Sequence, residues 1–475
     1  MGLTQIGVSV LVSLLVGALA RGMRRTYLLL ASSVLAVYWF QPALPLRSFD
    51  FWLPSLSLAL TLLTWLVTSR SGAWRERQNL YAFLIISGLV TLIAVSRYVL
   101  PQPILTATTP PQIVQVLGFL LLAGVALSAF QWTAHRLTWL VGGTIVLLIA
   151  ILVVLKSPAL SLQGSIFFRT LANRPIENAA FTDLRWLGFS YIAFRLIHVL
   201  RDKQMGRLSE LSLPEFATYV VFFPALAAGP IDRAERFVQD LRKEFTLTQD
   251  ETLPGGQRIV LGLFKKFVIA DTLALVALNN VLATQVHSSG WMWVIVYAYA
   301  FQIYFDFSGY TDIAIGTARL TGIRLPENFA APYLKPNLTQ FWNSWHMTLT
   351  QWFRAYFFNP FNRWMRGFKN IPAWTIILIA QLATMLLIGL WHGITLNFVL
   401  WGLWHGLGLF VQNRWSEFIR SRYATTAQNP RLQSILQIGG ILLTFHFVAL
   451  GWVFFALSNP SLSWRVFLAL SGVMR

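Results

Sequence analysis

The sequence predicts an all-α, polytopic transmembrane protein with roughly 11 to 14 membrane segments, some of them re-entrant. The 475 residues are 56% hydrophobic with a mean hydropathy of +0.59, and only 12% are charged, whereas soluble domains carry about 25% charged residues. Uncharged runs close to the roughly 20 residues that a spanning helix needs recur along the chain. These runs are continuously apolar and do not alternate, which favours helices over a β-barrel.

The apolar runs give the order of the predicted spans. The first run, Leu3 to Ala20, has no basic region ahead of it and is followed by arginines, so we interpret it as a membrane helix and not as a cleaved signal peptide. The run 214–229 is short and ends in Ala-Gly-Pro, which favours a re-entrant segment. The predicted spans are 3–20, 26–46, 51–69, 79–99, 113–131, 137–155, 184–200, 214–229, 257–284, 291–316, 371–390, 394–412 and 432–457, with a last short run at 462–473.

Lysine and arginine mark one side of the membrane. By the positive-inside rule, the loops that gather these residues face the cytoplasm, and alternation of the spans then places the N-terminus outside. The segment 156–185 conflicts with this count, because it falls outside although it contains Lys156, Arg169, Arg174 and Arg185. Long loops obey the rule less strictly. The cations assigned to the cytoplasm are Arg21, Arg24, Arg25, Arg70, Arg75, Arg77, Arg201, Lys203, Arg207, Arg414, Arg420, Arg422 and Arg431.

Charge and residue types argue against several function classes. Lys and Arg number 37 against 18 Asp and Glu, but the cations stand in short blocks between apolar runs, which is typical of membrane loops and not of a nucleic-acid site. The chain has no cysteine, so disulfides, a thiolate nucleophile and thiolate metal sites are excluded. The sequence also lacks Gly-x-Ser-x-Gly, a phosphate-binding glycine loop and a histidine pair at i,i+4, which weakens serine hydrolase, nucleotide and metal interpretations.

His392 is the first candidate for chemistry. It lies between two strongly apolar segments, and Gly389 and Gly393 flank it. Glycine permits irregular backbone at membrane depth, and a histidine at such a helix break is able to face a cavity and act as a general base. The topology places His392 in the outer half of the membrane or at its outer mouth. The alternative is an imidazole hydrogen-bonded to a neighbouring carbonyl, and the residues alone leave both open.

The other histidines have simpler interpretations. His346 begins a tryptophan-rich amphipathic helix in the polar stretch 317–370, where a surface imidazole is the simpler alternative to a functional one. His405 repeats the Trp-His-Gly pattern of His392 on the next helix, and we predict a packing role for it. The remaining four are assigned to a helix end, a packed core or loops: His198, His446, His135 and His287.

Carboxylates in apolar segments form a second group of candidates, because ionisable residues at membrane depth are unfavourable and therefore informative. Asp271, Asp306 and Asp312 are of this kind, and Asp306 is the deepest by sequence. A buried carboxylate must be paired or neutralised, so we expect Asp306 to pair with a cation of the stretch 317–370. A structural salt bridge is the simpler interpretation of this aspartate.

The motifs between 187 and 406 resemble the membrane-bound O-acyltransferase family, and look most like its bacterial branch of alginate O-acetyltransferases and teichoic-acid D-alanyl transferases. The stretch Tyr304 through Phe329 (YFDFSGYTDIAIGTARLTGIRLPENF) is the longest and most specific match. The helices before residue 187 resemble those of the family only in their general type. The other matching segments are 187–195, 223–230, 262–267, 341–349 and 389–393, in family order.

The resemblance implies the fold and its division along the chain. It implies a many-helix fold that curves around a central tunnel, within a single integral membrane domain over 1–475. The helices of 1–186 would precede a catalytic core at 187–406, and the helices of 407–475 would follow it.

The resemblance also implies the reaction and the residues that carry it. A short acyl group, such as acetyl, would pass from a cytoplasmic thioester to a hydroxyl of an extracytoplasmic polysaccharide or other glycan. His392 matches the family's main catalytic histidine, which would be the general base, and His346 matches the assisting one. Asp306, Trp345 and Trp391 would bind substrate or shape the tunnel.

The same resemblance implies the partners and the location. No metal and no tightly bound cofactor are expected, because acyl-CoA or an acyl-carrier protein is the co-substrate. The expected partners are the lipid bilayer, that donor or carrier on the cytoplasmic side, and a glycan acceptor or an accessory periplasmic or extracellular transferase. No nucleic acid is expected. The location would be the bacterial cell (inner) membrane, crossed many times, with the N-terminus outside.

Two other functions remain open at the level of sequence. A transporter or flippase would also have broken helices, a re-entrant run and buried ionisable groups, although no inverted repeat is visible. A catalytically silent scaffold of an envelope biosynthesis complex would dock partners through the basic loops. The turn Arg354 to Asn362, which departs from the pattern of the bacterial branch, keeps that second alternative open.

Overall fold

In the computed structural model, all regular elements of the described residues are helices. The structure describes residues 2–134, 139–368, 370–422 and 430–473, so His135 lies outside the described residues. The chain forms two compact units, the first made of Met1–Val260 with Asp312–Pro326 and the second of Leu261–Thr311 with Glu327–Arg475. These limits differ from the predicted segment boundaries at 186/187 and 406/407, and the predicted single integral membrane domain stays a prediction.

The first unit contains most of the long helices of the N-terminal half. Apolar side chains make up most of its buried core, with a few buried polar groups that hydrogen-bond to backbone carbonyls. Its helices are α1 Leu3–Leu19, α2 Gly22–Phe40, α3 Phe49–Thr68, α4 Arg77–Val99, α5 Ile113–Ala134, α6 Trp139–Lys156, α7 Pro158–Leu171, α8 Phe189–Gln204, α9 Leu213–Val221, α10 Ala234–Arg242 and most of α11 Gln249–Leu263.

The second unit alternates short helices with long ones. A π-helical stretch, Phe264–Ala270, follows α11, and another, Arg354–Phe358, follows α16. The helices are α12 Asp271–Ala274, α13 Leu282–Gln285, most of α14 Ser289–Arg319, α15 Leu338–Trp342, α16 Met347–Phe353, α17 Asn359–Met365, α18 Ala373–His392, α19 Leu396–Arg422, α20 Pro430–Ala456 and α21 Pro460–Leu470.

Five helices within the described residues are long and apolar enough to cross a membrane. They are α3, α4, α6, α18 and the Arg431–Ala456 part of α20, and two shorter apolar helices cover Leu3–Leu19 and Ile113–Ala126. A helix satisfies its own backbone hydrogen bonds, which the hydrocarbon core of a bilayer requires. The all-α prediction is confirmed. The predicted number of segments, which also counts shorter and more polar runs, stays a prediction.

Two predicted spans are not continuous helices. The run 214–229 contains only the short helix α9, Leu213–Val221, and a single 3-10 turn after it. The run 257–284 is also broken, because α12 ends at Ala274 and α13 begins only at Leu282, with Asn279 in the turn between them. Its Oδ1 atom accepts hydrogen bonds from the backbone N–H groups of Val281 and Leu282, both at 2.9 Å, as helix-capping asparagines do.

The segment 156–185 is folded and is not the open loop that the sequence suggested. Helix α7, Pro158–Leu171, occupies half of it, and Asp183 neutralises one of its cations. The Asp183 carboxylate accepts hydrogen bonds from Ser165 Oγ at 2.7 Å and from Arg169 Nε at 2.9 Å, and both charged side chains are buried. One of the four cations that conflicted with the positive-inside rule is therefore paired internally.

Replacing Asp183 with asparagine tests this buried pair. The amide keeps an acceptor oxygen but leaves the buried Arg169 guanidinium without a counter-charge, so we expect the free energy of unfolding to fall by about 2 kcal/mol. Thermal unfolding of the purified protein in detergent measures the loss. The exposed carboxylate of Glu177 in the same segment is the control, and Glu177→Gln should change stability by less than about 0.5 kcal/mol. Equal effects of the two substitutions would contradict the assignment.

Arg25 is a buried structural residue, although its position in a basic block suggested a solvated loop. Its side chain is fully buried, and its Nη2 atom donates to the backbone carbonyls of Asp240 at 3.0 Å, Leu241 at 2.8 Å and Lys243 at 3.0 Å. Those carbonyls lie at or just beyond the end of α10, where a helix has no internal donors left. A guanidinium there also complements the negative end of the helix dipole.

Candidate active site

His346 lies at the start of α16 and is held by a buried asparagine. Its backbone is left-handed, with φ 41° and ψ 53°, and its side chain is buried. The Nδ1 atom of His346 lies 3.3 Å from Asn328 Oδ1, which also accepts a hydrogen bond of 2.8 Å from Thr348 Oγ1. The backbone N–H of Met347 donates to the carbonyl of Asn328 at 3.0 Å. These contacts orient the imidazole.

The Nε2 nitrogen of His346 remains able to form a hydrogen bond. Its Nε2 atom is buried and has no hydrogen-bond partner among the described residues. Burial lowers the pKa of His346 to about 3, against a smaller opposing effect of a backbone hydrogen bond, because a charged imidazole is poorly solvated in a packed interior. The ring is therefore neutral at physiological pH. Since Asn328 Oδ1 can only accept, Nδ1 carries the proton and Nε2 is left as an acceptor.

Burial of neutral His346 makes the folded state sensitive to acid. Folding lowers the pKa of His346 from 6.5 to about 3. The neutral ring therefore contributes fully to stability above pH 6.5, and this contribution is lost as the pH falls from 6.5 toward 3. On acidification to about pH 5, this loss is about 2 kcal/mol. We expect thermal unfolding to show a loss that is larger by this amount in the wild type than in His346→Asn, which retains the other buried histidines. Equal acid sensitivity of the two proteins would contradict a buried neutral imidazole.

Trp391 connects the two candidate histidines. It is the penultimate residue of α18, and its ring lies 4.5 Å from that of His392 and 6.2 Å from that of His346, measured between centroids. The two histidines are 46 positions apart in sequence, yet both contact one indole. The structure therefore brings His346, Trp391 and His392 together within the second unit.

His392 is the last residue of α18, as the predicted helix break requires. The helix ends at His392 and α19 begins at Leu396. The His392 ring is half-buried and packs against Phe455 at 4.7 Å and Phe398 at 5.8 Å. This aromatic surround restricts the orientation of the imidazole.

Gly389 and Gly393, which flank His392, allow α18 and α19 to pack closely and do not provide an irregular backbone. Gly393 has an extended conformation, with φ −179°, that other residues also adopt. A Cβ on Gly389 would lie 2.3 Å from the carbonyl oxygen of Phe398, and one on Gly393 would lie 2.8 Å from the Phe398 ring. The glycines therefore let the end of α18 approach the start of α19, which corrects the reason that the sequence suggested for them.

The structure places Asp306 differently from its prediction. Asp306 pairs with Lys266 of the π-helical stretch Phe264–Ala270, not with a cation of 317–370, and 51% of its side chain is exposed. The expectation that Asp306 is the deepest of the three aspartates is wrong, because Asp312 is buried and pairs with Arg258 at 2.5 Å. The predicted salt bridge is confirmed, and a role in substrate binding stays a prediction.

Trp345 is buried next to His346 in an aromatic cluster. Its ring stacks on Phe341 at 5.7 Å and Tyr333 at 5.8 Å and contacts Trp452 at 5.0 Å. The cluster holds the chain immediately before His346 in place. A direct contact of Trp345 with substrate stays a prediction.

Two residues of the site were not singled out from the sequence. Asn328, which orients His346, stands 18 positions before it in sequence. The sequence indicated Asn328 only as a polar residue at the end of the stretch Tyr304 through Phe329. Phe307, on α14, packs edge-on against the His346 ring at 4.7 Å. His405 is fully buried between Trp342 and Trp401, at 5.2 and 4.9 Å, which agrees with the packing role predicted for it.

The site has the parts of an acid–base centre. Two imidazoles contact one indole, one of them neutral with an accepting nitrogen, and aromatic side chains limit access of water to it. The lowered pKa makes His346 a hydrogen-bond acceptor and a weak base, whereas an imidazole of ordinary pKa can take a proton from a hydroxyl group. Within the described ranges, no group of three or more His, Asp or Glu side chains is placed to hold a metal ion.

A small cavity in the same unit is lined by residues that stand close in sequence to this centre. Its volume is about 170 Å³, and its lining includes Thr350, Arg354, Gln381 and Ile388. Ile388 is on α18, about one turn before Trp391 and His392. The cavity is partly polar, because hydroxyl, amide and guanidinium groups line it together with apolar side chains.

The chain matches a known family over most of its length. The family model described as MBOAT, membrane-bound O-acyltransferase family, matches residues 3–447. That range includes His346, Trp391, His392 and Asn328.

Three similar proteins illustrate the relatives. The teichoic acid D-alanyltransferase of Bacillus subtilis is 32% identical over 279 residues, which are 58% of this chain and 69% of that protein. The probable alginate O-acetylase AlgI of Pseudomonas aeruginosa is 35% identical over 289 residues, 60% of this chain and 51% of that protein. The peptidoglycan O-acetyltransferase of Helicobacter pylori is 30% identical over 312 residues, 62% of this chain and 56% of that protein. The chain thus spans only about half the length of the last two relatives.

Proposed function

Because the chain belongs to the membrane-bound O-acyltransferase family, we propose that it transfers a short acyl group from a thioester to a hydroxyl of an extracytoplasmic polysaccharide or other glycan. The family is one of acyltransferases, and the protein is embedded in the membrane with several spans. Membership of an acyltransferase family weighs against the transporter alternative. The names of the relatives include acetyl and D-alanyl groups, and alginate, teichoic acid and peptidoglycan. These names support a short acyl group and a polymeric acceptor.

The observation that carries the proposal is the contact of Trp391 with both histidine rings. An alcohol is a weak nucleophile, and a positioned base assists it by removing its proton during attack. Two imidazoles beside one indole place a base and a second polar group within one aromatic site. We assign the base to His392, because it is the less buried ring and lies where the helix ends.

In the proposed step, the acceptor oxygen attacks the thioester carbonyl carbon while His392 takes the hydroxyl proton. The tetrahedral intermediate collapses, the carbon–sulfur bond breaks, and the thiolate leaves with the electron pair. The proton held by His392 then passes to the thiolate, so the products are the ester and the thiol. His346 assists by positioning the thioester through its arm, since its buried Nε2 atom is an acceptor for an amide N–H of that arm and faces no protein partner among the described residues.

The small cavity is proposed as the donor approach, because Thr350 and Ile388 of its lining are four positions from His346 and from His392. A thioester arm is narrow and carries amide groups, which the Thr350, Arg354 and Gln381 side chains in the cavity lining can hydrogen-bond. Ile388 is the lining residue closest in sequence to Trp391. Exclusion of water from such a passage would protect the thioester from hydrolysis.

The partners and location of the protein follow as parts of the same proposal. The donor, acyl-CoA or an acyl-carrier protein, would arrive from the cytoplasm, where the basic loops are predicted to lie. The acceptor glycan, or an accessory periplasmic or extracellular transferase that passes the acyl group on, would lie on the opposite side. The protein would reside in the bacterial inner membrane with its N-terminus outside.

A labelling experiment tests the proposal. Membranes from cells that make the protein, and matched membranes without it, receive acetyl-CoA carrying label in the acetyl group, and a parallel pair receives labelled D-alanine with cell extract. Label that enters the cell-envelope glycan as an alkali-labile ester, only where the protein is present, is the expected result. Copurification of envelope proteins with no ester label from either donor would favour the scaffold alternative instead.

A further inference from the structure

A polar cavity lies in the first unit, where α3 ends and α4 begins. Its volume is about 300 Å³, and its lining includes three cations and three carboxylates: Arg70, Lys203, Arg242, Glu76, Glu210 and Glu215. Two of the cations are engaged, since Arg70 pairs with Glu76 at 2.7 Å and Arg242 with Glu215 at 2.6 Å. The ammonium group of Lys203 has no ion-pair partner among the described residues. Glu210 forms a longer second pair with Arg70, at 3.6 Å, and 72% of its side chain is exposed.

An apolar groove adjoins this cavity on the same helices. Its volume is about 790 Å³, and most of its lining side chains are apolar, from α3, α4 and α5. Trp65 and Asn79 line both the groove and the polar cavity. Asn79 is buried and fixed, because its side chain donates to the carbonyl of Ala73 at 2.7 Å and accepts from the N–H of Leu213 at 2.7 Å. The two spaces therefore share a rigid border.

The groove continues along α4 for the depth of one leaflet. A smaller cavity of about 40 Å³ shares Leu62, Phe83 and Gly124 with the groove and reaches Val90. From Leu80 to Val90, the helix rises roughly 15 Å at about 1.5 Å per residue. Half of a hydrocarbon core is also about 15 Å thick. A charged cavity at the helix ends followed by an apolar groove of this length matches the shape of a membrane lipid.

We propose that this surface binds one phospholipid with a zwitterionic amino-alcohol head group, such as phosphatidylethanolamine. An acyl chain lies in the groove, the phosphate meets Lys203, and the lipid ammonium meets Glu210. The balance of three cations and three carboxylates favours a zwitterion over an anionic head group, which would meet as much repulsion as attraction. The site belongs to the first unit, whereas His346 and His392 belong to the second, so the proposal does not depend on the acyl transfer reaction.

Blocking the groove tests the acyl-chain part of the proposal. Gly124 lines the groove, and a Cβ there would meet no atom within 4 Å, so Gly124→Leu adds bulk to the groove without displacing the backbone. Gly118 on the same helix is equally open but is not part of the groove lining, which makes Gly118→Leu the matched control. The full-length protein is delipidated in detergent, titrated with phosphatidylethanolamine and measured by native mass spectrometry. We expect Gly124→Leu to bind phosphatidylethanolamine on the order of tenfold more weakly than the wild type. Gly118→Leu should bind it as the wild type does.

Changing the side chains proposed to contact the lipid head group tests the head-group part of the proposal. Lys203→Ala should weaken binding of phosphatidylethanolamine about fivefold, whereas Arg207→Ala, which removes an exposed cation of the following loop outside the cavity, should not change it. Phosphatidylglycerol of the same chain length should bind more weakly to the wild type. Preference for phosphatidylglycerol would overturn the zwitterionic assignment, and equal lipid retention by all variants would overturn a specific site in favour of ordinary boundary lipid.

Discussion

Replacing His392 with alanine is expected to lower the single-turnover rate of acyl transfer by about 10³-fold. The acceptor hydroxyl would then have to lose its proton without a positioned base, while the donor and acceptor would bind as before. His392 ends α18 and is held by Phe398 and Phe455, so its loss removes the imidazole and leaves the helix end in place. The measurement is the rate of ester formation from a pre-bound thioester by the purified, inserted protein.

Controls separate loss of the base from loss of the fold. His287 lies exposed in a loop of the same unit, and His287→Ala should transfer at the wild-type rate. His392→Gln, which keeps most of the side-chain volume, should be as slow as His392→Ala, because an amide does not take up a proton at neutral pH. Transfer at the wild-type rate by folded and inserted His392→Ala would remove this residue from the mechanism.

The long apolar helices were predictable because one physical signal determines them. A run of apolar residues about 20 long is sufficient to cross a bilayer, so the spans predicted at 51–69 and 371–390 match α3, Phe49–Thr68, and α18, Ala373–His392, within about two residues. The end of α18 at His392 was also predictable. The nearby glycines and the change of apolar pattern both indicated it.

The side-chain environment of the site was not predictable from the same signals. The contact between Asn328 and His346, and that of Trp391 with both histidines, depend on tertiary packing between residues far apart in sequence. Hydropathy ranks depth by neighbours along the chain, which made Asp306 seem deeper than Asp312. Burial depends instead on which helix face meets another helix, and only Asp312 lies on such a face.

The family resemblance supplied what the residues alone left open. The sequence around His392 fitted a hydrogen-bonded imidazole as well as a functional one, and the sequence around His346 fitted a surface imidazole as well as a functional one. The resemblance raised both above those alternatives, and the match over residues 3–447 confirms the family. Neither the resemblance nor the hydropathy pattern indicated why the imidazole of His346 is neutral, since that depends on its burial in the folded chain.

Replacing His346 with asparagine is expected to lower the rate of acyl transfer by about 10²-fold while leaving the fold intact. The left-handed backbone of His346, with φ 41°, is unfavourable for most residues, but asparagine adopts it readily. The substitution therefore removes the imidazole without adding backbone strain. Single-turnover rates and thermal unfolding at neutral pH measure the two effects separately, and only the rate should change strongly.

Ala331 provides the matched control for this substitution. It is the other left-handed, non-glycine residue found in the described part of the second unit, with φ 48°, and it is exposed. Ala331→Asn should keep the wild-type rate and raise stability slightly, because asparagine is better suited to that backbone than alanine. A slow His346→Asn protein that also unfolds at much lower temperature would indicate a structural role for His346. A slow protein of unchanged stability would instead place the neutral imidazole in the reaction, where its buried Nε2 atom accepts a hydrogen bond from the thioester arm.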